Sequence, residues 1–152
     1  MNQPPQNPNN SPSLNDSANS TDVILNGKTV LVELPYNIAA AVCYVPFLLN
    51  ILAPAAWLYS EPKENRFVRY HAVQGLLLAI AFFLLITVAN TLFFVVSFIP
   101  LIEMVNGIVV LALWFGYLGI SFRLGFSAFK AQPGKLPVVS KYIEDAMDQY
   151  NL

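Results

Sequence analysis

The side chains best equipped for chemistry lie together in one short stretch, Glu61-Pro-Lys-Glu-Asn-Arg-Phe-Val-Arg-Tyr-His-Ala-Val-Gln-Gly75. On a helix, Arg66 and Arg69 are i, i+3 neighbours on one face, and so are His71 and Gln74. Guanidinium groups match phosphate and carboxylate oxygens with a planar fork of donors. Arg123, in a later segment, is expected at a similar height. With Glu61 or Glu64 as counter-charge, Arg66, Arg69, His71, Gln74 and Arg123 form a candidate polar cluster. Such a cluster anchors a segment at a membrane boundary, or holds an anionic headgroup or a partner chain.

Catalysis has less to work with. His71 is the chain's single histidine, so a metal would lack a second imidazole, and no serine or cysteine nucleophile is close to it in sequence. Cys43 is the single cysteine, which excludes an intrachain disulfide and a CxxC zinc site. In its apolar run it is expected to pack as a small hydrophobe. No catalytic, cofactor or metal site is therefore expected. Asn50 and Asn90 are isolated amides in apolar runs, and in hydrocarbon such groups bond a neighbouring helix or line a solute path.

The elements that position these residues follow from where charge is missing. Of the 152 residues, 56% are hydrophobic and 11% charged, where a soluble domain carries about 25% charged. No charge occurs between Glu33 and Glu61, and Glu103 stands alone between Arg69 and Arg123. The formal net charge of −1 offers no basic field for nucleic acid. About 20 apolar residues cross a ~30 Å hydrocarbon core. Three spans are predicted, at 38–58, 75–98 and 105–126, with Asn37 as N-cap of the first and Pro100 and Glu103 in the turn between the last two. Pro46 and Pro54 should kink the first, and Asn65 should cap the helix that runs into the second. Small residues Gly116, Gly119, Ser121 and Gly125 give the third a face for close helix approach.

Around this membrane domain, 37–129, lie shorter pieces. Residues 1–22 are rich in Asn, Pro and Ser and read as a disordered tail. Residues 23–36 read as a short hairpin or linker turned at Asn26-Gly27, a pair that tolerates positive φ. Residues 130–152 read as an amphipathic helix. Val138, Val139, Tyr142, Ile143, Ala146, Met147 and Tyr150 share one face, opposite Lys141, Glu144, Asp145, Asp148 and Gln149. That polar face is net acidic, so docking on protein is expected over binding to anionic lipid.

Cys43-Tyr-Val-Pro-Phe and the Arg66-Phe-Val-Arg-Tyr-His-Ala-Val-Gln74 stretch resemble those of an uncharacterised family of small bacterial and archaeal membrane proteins. That family carries an (N/R)-F-V-R-F-H-A-x-Q stretch between its first two spans. It is distantly similar to the four-span membrane subunit of the chloroplast inner-envelope protein-import machinery. The resemblance covers roughly Asn37 to Tyr142, with Tyr70 where the family pattern has Phe. It implies a fold and supplies no activity.

An odd number of spans places Lys63, Arg66, Arg69, Arg123, Lys130, Lys135 and Lys141 on one side and Lys28 on the other. The positive-inside rule then predicts the N-terminus out and the C-terminus in, in a bacterial plasma membrane. The sequence thus predicts an all-α integral membrane protein with three transmembrane helices, a disordered N-terminal tail and an amphipathic C-terminal helix. Its expected role is a non-enzymatic scaffold or an assembly or translocation component, with membrane lipid around it. A protein partner through residues 137–150 and a homo-oligomer are further expectations. The alternatives are an oligomeric pore or small-solute carrier lined by Asn50 and Asn90, and, more remotely, a headgroup enzyme using His71.

Overall fold

Two uninterrupted apolar blocks become two long helices, and a third block, interrupted by proline, does not. The computed structural model describes residues 25–46, 48–95, 99–132, 134 and 139–149, and the tail at 1–22 lies outside them. Among the described residues the helices are α1 (Tyr36–Val42), α2 (Leu49–Ser60), α3 (Arg66–Val95), α4 (Pro100–Phe129) and α5 (Val139–Gln149), with no strand. α3 and α4 have 30 residues each, about 45 Å at 1.5 Å per residue, and both are long and apolar enough to cross a membrane.

The continuous span expected over 38–58 is not formed. Pro46 has no N–H to donate, and its ring would strike the carbonyl of Val42, so α1 stops at that residue. The chain tightens there into i→i+3 bonds, Tyr44 N to Ala41 O at 3.1 Å and Val45 N to Val42 O at 3.1 Å. Helix resumes at Leu49 and runs through Pro54 to Ser60. At about 10 Å and 18 Å, neither α1 nor α2 spans ~30 Å of hydrocarbon.

Their contacts show where they run. Asn37 Nδ2 donates to the carbonyl of Phe129, the last residue of α4, at 3.0 Å. Deeper, Asn50 reaches Tyr117 of α4 and the backbone of Gly75 in α3. At the far end of α2, the carbonyls of Leu58 and Glu61 return to Arg69, in the first turn of α3. Val30 N, ahead of α1, donates to Glu61 Oε1 at 2.8 Å. α1 and α2 therefore form a hairpin that enters the bundle and leaves it at the same end. Its tip sits about halfway along α3 and α4. A straight span would have put Val30 and Glu61 at opposite ends.

Smaller expectations have mixed outcomes. As expected, Asn65 caps the helix that runs into the second apolar block: α3 starts at Arg66, and Asn65 Oδ1 accepts from Val68 N at 3.4 Å. Pro100 opens α4 at its first turn instead of sitting in a turn. Glu103 then lies in that first turn, where a carboxylate favours the helix dipole. The reversal ahead of α1 is centred on residues 30–33 and not on Asn26-Gly27. Thr29 N bonds Leu34 O at 2.8 Å, Leu34 N bonds Thr29 Oγ1 at 3.1 Å, and Glu33 is the residue with positive φ, 52°. Gly27 serves another end, leaving room for the ring of Tyr36.

Close approach at the tip depends on Gly75. A Cβ there would lie 2.6 Å from the carbonyl oxygen of Cys43, a backbone atom that cannot swing away. Gly116, by contrast, faces open space. Gly75→Ala should lower stability by about 1–3 kcal/mol, and Gly116→Ala should change it little, in denaturant unfolding of the purified protein in detergent.

Candidate functional site

The hairpin creates a polar interior in a molecule with few polar groups. Tyr44, in the break after α1, is 2% exposed, while His71 and Gln74 on α3 are 0% and 1% exposed. The Tyr44 hydroxyl donates to Gln74 Oε1 at 2.7 Å and lies 2.9 Å from His71 Nδ1. With its proton given to Gln74, the hydroxyl accepts from Nδ1–H, which assigns the imidazole tautomer. His71 Nε2 is buried with no partner among the described residues. Phe67 and Tyr70 meet the imidazole edge-on, with centroids 4.7 Å and 5.6 Å away. Gln74 Nε2 continues the chain of bonds to the carbonyl of Gly134 at 3.0 Å. One network thus joins the hairpin, α3 and the turn after α4.

A second group lies nearer the hairpin's open end. Arg69 Nη1 donates to Leu58 O at 3.1 Å and Glu61 O at 2.7 Å. A cation at the last carbonyls of α2 satisfies acceptors the helix cannot and opposes its negative dipole end. The Glu61 carboxylate, itself buried, accepts from Val30 N and from Asn65 Nδ2, each at 2.8 Å. It ties the segment before α1 to the cap of α3.

The third group is at the tip. Asn50 is 1% exposed, and the amide orientation that satisfies its neighbours donates to Cys43 O at 2.5 Å and Gly75 O at 3.1 Å while accepting from the Tyr117 hydroxyl. Tyr117 stacks on Phe82 at 4.1 Å, and Phe82 meets Trp114 edge-on at 4.9 Å, which joins α3 to α4 at this depth.

Of the residues singled out in the sequence, Arg69, His71 and Gln74 come together in the interior, and Asn50 lies there too. Arg66 and Arg123 are exposed, and Arg123 is not bonded to the others. Asn90 is on the other half of α3, exposed, donating to Ile86 O at 2.8 Å and accepting from Asn106 of α4 at 3.4 Å. Asn50 and Asn90 do not share a lining. Sequence reasoning missed Tyr44 and Tyr117. Their one signal was a phenol inside an apolar run, since buried phenols need a partner. Cys43 is buried, with its thiol 3.4 Å from Ala39 O, in keeping with packing. α5 lies against α3 with Ile143 buried, although Tyr142, assigned to the same apolar face, is 71% exposed.

Residues 29–143 match the family model of the magnetosome magnetite crystal formation protein family. The chain belongs to that family. It is also 31% identical over 129 residues to a UPF0132 membrane protein of Methanocaldococcus jannaschii, covering 85% of this chain and 99% of that one. No solved structure matches. Membership and the two long apolar helices make this magnetosome-family chain a membrane protein, as its composition required. The match takes in all three polar groups and reaches into α5.

In this family member the Tyr44 hydroxyl holds two buried partners. Tyr44→Phe should cost about 1–3 kcal/mol, because His71 Nδ1–H and Gln74 Oε1 are left unsatisfied. A Tyr44→Phe/Gln74→Leu double-mutant cycle in detergent should give a coupling of about 0.5–3 kcal/mol. Strict additivity would mean that the bond contributes nothing.

Proposed function

We propose that the protein is a non-enzymatic membrane scaffold that crosses the bilayer twice and presents a rigid platform at one face. The supporting observation is where the buried polar bonds go. They tie the segment before α1, the loop after α2, the start of α3 and the turn after α4 into one unit at one end. α1 and α2 enter from that end as a re-entrant hairpin. Broken backbone inside hydrocarbon is tolerated where protein covers it, and Asn50, Gly75 and Tyr117 meet that condition at the tip.

This arrangement changes the sidedness. The described chain before α1 and after α4 lies at one face, so Lys28 joins Lys63, Arg66, Arg69, Arg123, Lys130 and Lys141 there, together with acids such as Glu61, Glu64 and Asp145. The opposite turn carries Glu103 alone. The positive-inside rule is better satisfied than with three spans, and an N-terminal tail no longer has to be translocated. The platform faces the cytoplasm of a bacterial cell.

A non-enzymatic reading is supported by His71, whose ring is enclosed by Tyr44, Phe67 and Tyr70 and does not reach the headgroups. The family description concerns magnetite crystal formation. An iron-templating surface needs clustered carboxylates, and the turn opposite the platform has one. The archaeal relative is described simply as a membrane protein. A holding role at the platform therefore fits this chain better than direct contact with a growing mineral. Exposed Tyr59, Lys63, Arg66, Lys130 and Tyr142 are the groups offered to a partner.

Crosslinking in native membranes through a photoreactive residue at Tyr59 or Tyr142 should capture a discrete partner band. The same residue at Phe94, at the other end of α3, should not. Equal capture from both ends, or capture of lipid alone, would contradict the scaffold reading.

A further inference from the structure

The hairpin occupies only half of the bundle's length, and this gives the molecule a taper. At the platform end four helices lie side by side, α1 and α2 with α3 and α4, and α5 adds a fifth against α3. Beyond the tip, α3 and α4 continue alone among the described residues. Their side chains there face outward on nearly every side: Leu92, Phe94, Leu101 and Met104 are all more than three-fifths exposed. At the step, Leu48, Ile51, Phe83 and Trp114 line an open hollow of about 310 Å³. Each helix has a diameter of about 10–12 Å with side chains. The section through the platform half is therefore about twice that through the other half. The step is fixed in place: the Asn50 amide, the contact of Gly75 with Cys43 and the Arg69 bonds to α2 stop the hairpin from extending.

We propose that this taper makes the protein a ligand for curved bilayer, selecting membrane that bulges toward the platform face. A body that is wide in one leaflet and narrow in the other costs least where lipid packing in the wide leaflet is already spread. One-leaflet insertion is curvature-sensitive for that reason. The preference has a sign. Turned over, the same molecule avoids the membrane it otherwise seeks. The inference rests on the two-crossing reading above, so the experiment tests the two separately.

The full chain, in a Cys43→Ala background, is reconstituted in giant vesicles containing phosphatidylserine, with a dye on Lys28→Cys, Lys130→Cys or Glu103→Cys. An impermeant reagent first fixes sidedness. Lys28→Cys and Lys130→Cys should react from one side and Glu103→Cys from the other. Reaction of the first two from opposite sides removes the hairpin and the taper with it. A narrow tube is then pulled outward from vesicles whose protein has its platform face outward, and dye density is compared between tube and vesicle body. The expected density ratio exceeds one and rises as the tube narrows; for protein of opposite sidedness it falls below one. With sidedness as expected, a ratio independent of tube radius in both orientations overturns curvature selection while leaving the two-crossing reading intact. A second copy filling the space beyond the tip would give that result.

Discussion

Backbone that leaves a helix inside hydrocarbon exposes amide and carbonyl groups to a solvent that cannot bond them, at several kcal/mol for each group left alone. In the proposed two-crossing arrangement the chain faces that constraint at the tip of the α1–α2 hairpin, and the rest of the architecture depends on the bonds made there. Asn50, one turn into the hairpin's second limb, turns its amide back to the carbonyl of Cys43 and across to Gly75 and Tyr117. Gly75 lets the two backbones come close enough for that bond. With the carbonyls of Cys43 and Gly75 bonded in this way, α1 and α2 turn back instead of continuing as one helix, and their outer ends lie at one end of α3 and α4.

The polar groups farther down the hairpin serve the same geometry. Arg69 closes the open carbonyls of α2, Glu61 holds the incoming segment of chain, and Tyr44 links the end of the first limb to α3 and, through Gln74, to the turn after α4. These bonds lie where water is scarce, so each is worth more than on a soluble surface and each missing partner costs more. His71 Nε2 and Arg69 Nε are buried without a partner among the described residues. The His71 ring fills the space between three aromatic rings and donates to Tyr44.

Much of this was legible in the sequence, and the parts that were not share a cause. Charge-free blocks marked the two long apolar helices, and the Arg-aromatic-His-Ala-x-Gln stretch marked Arg69, His71 and Gln74, which are buried, because both signals are local. Asn65 as cap was readable from its position alone. The re-entrant path was not. An apolar block of about 20 residues looks the same whether it crosses or returns, and Pro46 and Pro54 signal a bend without its size. The deciding contacts, Asn37 with Phe129 and Val30 with Glu61, join residues far apart in sequence. Sidedness inherits the same dependence, since it is counted from the number of spans. Arg123 was grouped by height on its helix, which says nothing about the face it occupies.

The hairpin's return is the claim on which platform, sidedness and taper all stand. It is tested most directly by the distance between spin labels on Val30→Cys and Pro62→Cys, in the Cys43→Ala background, measured by pulsed electron resonance in lipid nanodiscs. The two positions flank a hydrogen bond from Val30 N to Glu61, so the labels should report a short distance set by their own linkers. A straight helix over 38–58 would separate them by about 30 Å or more at 1.5 Å per residue, and a distance in that range would contradict the account.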